Sequence, residues 1–246
     1  MKQTSESTVR VDRRGPVLVI RLDRPEALNA INRATSQQLH AAFDQLQEDD
    51  DVAVGVLTGT GRALCAGSDL KEIDDRPAFA DGLRHGNVTS LVRRDLGKPL
   101  VAAVNGLAFG GGMELVLACD LAVAGPAARF GLPEVKHGLV AAAGGLLRGP
   151  RQLPVKVLLD LVLTGASLDA DQALARGLVS RVAEDPLAEA IAMAATIAGH
   201  PSQAAVRASR DAVRRGLDVP LETEGGAWDV VEADVMAVLL AVGGRS

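Results

Sequence analysis

Asn105-Gly106-Leu107-Ala108-Phe109-Gly110-Gly111-Gly112-Met113-Glu114 is the stretch on which the fold turns. It leaves one apolar run, Leu100 to Val104, that reads as a buried strand. It opens another, Met113 to Cys119, that reads as a helix. Glycine at such a junction lets backbone approach a neighbour or a ligand closely. The start of a helix also presents unpaired N–H groups with a favourable dipole. Upstream, Cys65-Ala66-Gly67-Ser68-Asp69-Leu70-Lys71 is a second glycine-containing turn just after a strand. One N–H from each turn, converging on a single oxygen, would form an oxyanion hole. Taken singly, each turn reads more simply as an ordinary tight turn.

Outward from this stretch, strands alternate with helices. Val17 to Leu22 and Val52 to Thr58 read as buried strands, the first after a turn at Asp12–Pro16, the second bounded by Gly59-Thr60-Gly61. Between them Leu39, Ala42, Phe43 and Leu46 fall at the i, i+3, i+4, i+7 spacing of an amphipathic helix over residues 33–48. Leu121 to Ala124 is a further strand. The alternation predicts an α/β class with parallel pairing. Residues 1–10 are polar and expected to fray. The last third changes character. Pro154 suits the first turn of a helix that stops near Gly165. Asp169 with Gln172 resembles a capping box, with Gly177 closing that helix. Leu187 to Ala198, Ser202 to Arg215 and the residues from Pro220 onward read as helices. A boundary near residue 185 therefore separates an α/β part, 1–185, from a helical part, 186–246.

Composition narrows the function. The 246 residues suit one large domain, or one domain with an appendage. Hydrophobic residues make up 48% and charged residues 23%, which argues against global disorder. Four Phe, one Trp and no Tyr imply an aliphatic, alanine-rich core and no platform for stacking bases. With a net charge of −5, nucleic acid is a poor partner. Cys65 and Cys119 cannot make a disulfide framework and read as buried free thiols in a reducing compartment. The first fourteen residues hold no apolar signal core, and no run of 18 apolar residues lacks a charge. Neither secretion nor a membrane span is expected, and a cytoplasmic protein is the default. No dinucleotide fingerprint, phosphate-binding loop or nucleophile elbow occurs, and the histidines and cysteines lack metal-ligand spacing. No metal or redox cofactor is expected.

Two carboxylates remain to be explained. Glu114 sits inside the apolar run Met113-Glu114-Leu115-Val116-Leu117, where an acid is costly unless paired or functional. Glu134 follows Gly131-Leu132-Pro133 and precedes another glycine-rich stretch. A pair of such acids can do general acid–base work if burial raises their pKa values. Each alone is as readily a solvated or salt-bridged side chain.

At these residues the sequence resembles the crotonase family, the enoyl-CoA hydratases and isomerases. The likeness runs from about Val17 to about Val182. It rests on Leu22-Asp23-Arg24-Pro25-Glu26-Ala27-Leu28-Asn29-Ala30, then Ala66-Gly67-Ser68-Asp69-Leu70-Lys71-Glu72, then Pro99 to Gly106. Gly110 to Glu114 with Ala118-Cys119-Asp120 follow, then Phe130-Gly131-Leu132-Pro133-Glu134, Leu163-Thr164-Gly165 and Gly177-Leu178-Val179. The resemblance implies a spiral of repeated ββα units followed by a helical region that builds homotrimers or homohexamers. It implies an acyl-CoA thioester ligand, with coenzyme A entering as part of the substrate and no separate cofactor. By position, the amides of Ser68 and Gly111 would form the oxyanion hole. Glu114 and Glu134 match the two acids of the hydratases, Glu114 activating a water for attack on C3 and Glu134 delivering a proton to C2 of a trans-2-enoyl-CoA. Arg24, Ala27, Leu28, Ala66, Asp69, Leu70 and Lys71 would lie along coenzyme A.

Three departures stand out against the family pattern. Glu26 occupies a position that is often basic. Ala141-Ala142-Ala143-Gly144-Gly145 replaces Pro-Gly-Ala-Gly-Gly, putting Ala142 where a glycine lies near the catalytic water. The chain also ends roughly one helix before most relatives, which predicts weaker binding of the adenine end. The expected activity is hydration. The alternatives are another crotonase reaction (double-bond isomerisation or C–C cleavage) and a non-catalytic acyl-CoA-binding subunit. The acyl pocket is expected from the segment between Glu72 and Leu96, read as a mobile loop plus a helix.

Overall fold

The computed structural model of the chain describes residues 7–73 and 88–217, together with Glu232 and Met236. Two sheets organise it. The larger has six strands in the order β1 (Val9–Arg14), β2 (Val17–Leu22), β3 (Val54–Gly59), β5 (Leu100–Val104), β7 (Leu121–Ala124) and β10 (Arg181–Val182). Only β1 runs antiparallel, through the β1–β2 hairpin. The rest pair in parallel, from Val17 opposite Val54 to Ala124 opposite Val182. The smaller sheet is β4 (Ala63–Cys65), β6 (Leu107–Phe109), β8 (Arg129–Gly131) and β9 (Ser167–Asp169). Each of β3, β5 and β7 hands the chain to the smaller sheet as β4, β6 and β8, and helices return it. That is the expected spiral of ββα units.

The sequence explains the elements. In α1 (Arg33–Glu48) the apolar stripe Leu39, Ala42, Phe43 and Leu46 is buried, and the Asn32 side chain accepts the Thr35 N–H at 2.8 Å as the N-cap. α2 (Leu70–Ile73) follows β4, and α3 (Val88–Arg93) precedes β5. α4 (Gly111–Ala118) joins β6 to β7, and α5 (Gly145–Gln152) and α6 (Val155–Thr164) lie between β8 and β9. α6 is capped by Gly165 in the left-handed region, as predicted. α7 (Ala170–Ala175) carries the predicted Asp169–Gln172 capping box. Two glycines are required by crowding. A Cβ on Gly106 would lie 2.0 Å from the Arg62 carbonyl oxygen, and one on Gly112 2.0 Å from that of Cys65.

The core fills both faces of the larger sheet. Phe43, Leu18, Ile20, Leu57, Phe130 and Met113 pack between it and the helices of the spiral. On the other face α8 (Pro186–Ala198) places Ala190, Met193 and Ala194 against Val19, Val56, Val101 and Val123. A parallel sheet covered on both sides accounts for the near-continuous apolar runs of β2, β3, β5 and β7. α9 (Gln203–Gly216) differs: none of its residues is buried, and Arg210 and Arg214 tie it to Asp120.

The structure corrects several sequence expectations. Val9 and Arg10 are not frayed but begin β1, and the turn is confined to Gly15–Pro16. β1 buries only Val9, so an edge strand rich in charge carried no apolar pattern to read. β4, β6, β8 and β9 span three residues each, too short to show a period. α5 begins in the glycine-rich stretch and contains Pro150, both of which mask a helix. The expected helix from Pro220 onward lies outside the described residues, as does most of the predicted loop after Glu72, beyond Ile73.

Candidate active site

The two glycine turns meet. A Cβ on Gly67 would stand 3.1 Å from the Phe109 carbonyl oxygen, 3.2 Å from the Gly111 nitrogen and 3.6 Å from the Gly110 Cα. Backbone therefore lies against backbone here, and Gly67 and Gly110 both adopt positive φ, 102° and 54°. Ser68 forms a parallel bridge to Ile31: Ile31 N–H donates to Gly67 O (2.8 Å) and Asp69 N–H donates to Ile31 O (3.0 Å). Because the flanking residues make both bonds, the N–H of Ser68 itself faces away from Ile31. Among the described residues neither Ser68 N–H nor Gly111 N–H, the first of α4, has a protein acceptor.

The two glutamates stand beside this junction. Glu114, one turn into α4, is 3% exposed. Its Oε1 accepts the Gly145 N–H at 2.9 Å, at the start of α5, and the carboxyl also accepts from the Ala143 amide. Burial nevertheless raises its pKa to about 7, with repulsion from Glu134 adding to the rise and the two amides opposing it. Glu134 lies in the 3-10 turn Pro133–His137. Its Oε1 faces Gly110, 3.3 Å from where a Cβ would stand, and its buried Oε2 has no partner among the described residues. Burial raises its pKa as well. Carboxyls whose pKa values are raised by burial give up and take protons more readily near neutrality than exposed ones, as general acid–base chemistry requires.

The expected coenzyme A contacts divide into two groups. Ala27 and Leu28 close a 3-10 turn, Leu28 in the left-handed region, and Leu28 O accepts the Ala66 N–H at 3.0 Å. Leu70 and Lys71 are exposed at the start of α2. Arg24 and Asp69, by contrast, face one another, with Arg24 Nη2 3.2 Å from Asp69 Oδ2. Other residues of the site had no separate signal in the sequence. The amides of Ala143 and Gly145 hold Glu114 across about thirty residues of chain. Asn29, wholly buried, accepts Arg24 N–H (2.8 Å) and donates to Ala63 O (2.7 Å) and Thr60 O (3.0 Å), pinning the first motif to β4. Its only clue is its place inside the Leu22–Ala30 motif. Ala141 and Ala143 are buried, whereas Ala142 is exposed and its N–H donates to Val140 O at 2.8 Å. Cys65 and Cys119 are buried thiols, Cys65 pushed up to about 12 by desolvation. Among the described residues no group of His, Cys, Asp or Glu is placed to hold a metal ion, and no helix is long and apolar enough to cross a membrane.

Two backbone donors without acceptors, beside two carboxyls whose pKa values are raised, are groups of the kind that can polarise a carbonyl and move protons. Comparison with known proteins gives the family of the chain. Residues 12–230 match the enoyl-CoA hydratase/isomerase family, and the chain belongs to that family. It is 40% identical over 220 residues to a probable enoyl-CoA hydratase, echA8, of Mycobacterium bovis, covering 87% of this chain and 84% of that protein. It is 39% identical over 221 residues to a carnitinyl-CoA dehydratase of Salmonella typhi, covering 89% and 84%. The crystal structure of the enoyl-CoA hydratase EchA1 from Mycobacterium marinum superposes with a TM-score of 0.83 at 40% identity, covering 98% of this chain and 92% of that one.

Proposed function

We propose that the protein is an enoyl-CoA hydratase that adds water to a trans-2-enoyl-CoA and gives a 3-hydroxyacyl-CoA. The observation that carries this reading is the pair of raised, mutually repelling carboxyls, Glu114 and Glu134, beside two unpaired amides. The amides of Ser68 and Gly111 hold the thioester carbonyl oxygen and stabilise the charge that gathers there as the enolate develops. Glu114, ionised, takes a proton from water as its oxygen bonds to C3. Glu134, protonated, gives its proton to C2. The carbon–carbon double bond is consumed, and the pair ends with its proton on the other acid. Both proton movements use side chains, and no electron is gained or lost, so the step calls on no metal or redox group. Loss of water from a 3-hydroxyacyl-CoA runs the same path backward. The likeness to a carnitinyl-CoA dehydratase supports that direction as the second reading.

Leu28, Ala66, Leu70 and Lys71 support a coenzyme A path over the surface beside Ser68. Assembly as a trimer or hexamer is part of the proposal. Its support is the apolar surface left uncovered on one chain: Val155, Leu159 and Leu163 along one stripe of α6, and Val213 and Leu217 on and after α9. A cleft of about 1670 Å³ beneath α9, lined by Leu147, Arg148, Val213 and Leu217, would be filled in such an assembly. The free buried thiols fit a cytoplasmic location.

The test is hydration of crotonyl-CoA, followed as loss of the enoyl-thioester ultraviolet absorbance, with Glu134→Gln as control. Turnover in the wild type and its loss in the control are expected. Turnover of carnitinyl-CoA alone would move the reading to the dehydratase. No turnover on any enoyl chain length, with tight acyl-CoA binding, would move it to a binding subunit.

A further inference from the structure

Both terminal nitrogens of the Arg24 guanidinium make contacts within the protein. Nη1 donates to Ala30 O at 2.7 Å and lies 3.3 Å from Asp69 Oδ2, and Nη2 reaches the same oxygen at 3.2 Å. The two side chains are only 18% and 15% exposed. The other carboxylate oxygen of Asp69 accepts the Lys71 N–H at 3.2 Å, and the Asp69 N–H donates to Ile31 O. Ser68 is thus fixed from both sides, through Gly67 O on Ile31 N–H and through Asp69 on Ile31 and Arg24. Behind Arg24, Asn29 fastens the same turn to Ala63 and Thr60.

We propose that Arg24 and Asp69 form a positioning pair that sets the direction of the Ser68 N–H, rather than a charge for a phosphate of coenzyme A. The inference rests on the reading of Ser68 and Gly111 as the oxyanion hole. An arginine suits the role because one planar fork spans a carboxylate and a carbonyl together, which an ammonium cannot do. A loop free to tilt by an ångström carries its amide out of line with the carbonyl, and such misplacement typically costs on the order of 100-fold in rate.

Two substrates separate the roles. Crotonyl-CoA carries the nucleotide phosphates, and crotonyl-pantetheine does not. For Arg24→Gln and Asp69→Asn, a fall in kcat of about 10- to 100-fold, equal on both substrates and with KM changed less than about threefold, is expected of a positioning pair. The double variant falls no further than the worse single variant, and Arg24→Lys recovers part of the loss. A rise in KM confined to crotonyl-CoA overturns the proposal and returns Arg24 to phosphate binding. The second readout needs no turnover: the carbonyl stretch of bound hexanoyl-CoA, whose frequency hydrogen bonding lowers. Asp69→Asn should move that frequency back toward its value in free ligand. A lowered frequency in the wild type that Asp69→Asn leaves in place overturns the positioning pair alone. No lowering in the wild type overturns the oxyanion-hole reading, and the pair with it.

Discussion

The site has two halves that are built in opposite ways. The amide half, Cys65 to Ser68 against Phe109 to Gly112, consists of backbone packed on backbone, with no room for a methyl group at Gly112 and a positive φ with tight contacts at Gly67. The carboxyl half, Glu114 and Glu134, consists of side chains on a short helix and a 3-10 turn, in surroundings that oppose their charge. Geometry is the constraint in the first half and electrostatics in the second. A substitution in the first half is therefore expected to cost structure, and an isosteric one in the second to cost activity while sparing or aiding stability.

The largest effect expected is that of Gly112→Ala. Its Cβ would stand 2.0 Å from the Cys65 carbonyl oxygen and 2.8 Å from the carbonyl carbon, contacts that only backbone movement can relieve. Destabilisation of about 3 kcal/mol or more is expected, since overpacking against rigid backbone lies at the upper end of such costs. Chemical denaturation checks it. A loss under 1 kcal/mol would break the distinction between the halves, because β4 would then yield to α4.

Next come the acids. Glu134→Gln and Glu114→Gln are each expected to lower kcat by about 10²–10⁴-fold, the usual contribution of a positioned general acid or base. A hydratase needs both. Single-site kinetics on crotonyl-CoA check this, and full activity with either variant would leave one acid to do the work, as isomerisation would require. The acid limb of kcat/KM should lie near pH 7, where Glu114 ionises, and should disappear in Glu114→Gln.

How much of this was legible in the sequence follows the range of the interactions. Leu39, Ala42, Phe43 and Leu46 announced α1 because a helical period is local, and Asp169 with Gln172 announced α7 for the same reason. Glu114 was conspicuous because its neighbours are apolar. The partners that hold the site lie far along the chain. Asp69 is 45 residues from Arg24, and Gly145 is 31 from Glu114. No period or spacing encodes such meetings. The residues of Leu22–Ala30 and Ala66–Lys71 stood out as motifs, but the contact between them appears only when β2, β3 and β4 bring both to one end of the sheets. The second sheet escaped for a related reason: its three-residue strands are fixed by pairing and not by pattern.

Stability gives a finer test of the carboxyl half. The Glu114 carboxyl has its pKa raised from 4.5 to about 7 in the folded protein. The folded state therefore binds more protons than the unfolded chain between those values, and stability falls as pH rises through that window. Above about pH 7 the cost of holding the charge is fully present, and below about 4.5 it is absent. Glu114→Gln removes the charge and keeps an oxygen for the Gly145 and Ala143 amides. The variant should match the wild type near pH 4 and exceed it at pH 8 by up to about 3 kcal/mol, at about 1.4 kcal/mol per pKa unit. Denaturation at the two pH values checks it. A variant weaker than the wild type at pH 8 would mean that the two amides hold a carboxylate more strongly than burial penalises it.

The smallest effect is expected at Ala142, one of the departures from the family pattern. Ala142 replaces a glycine of the family pattern, yet its residue is exposed, its backbone lies outside the left-handed region, and its N–H is used by the turn on Val140 O. Nothing in that geometry asks for glycine. Ala142→Gly should change kcat by less than about threefold and lower stability by about 0.5–1 kcal/mol, through the added freedom of the unfolded chain. Steady-state kinetics beside thermal unfolding check both. A rise in kcat above tenfold would show that the methyl group crowds the water attacking C3. Position 142 would then join the amide half, as a third place in the site where a single Cβ decides function.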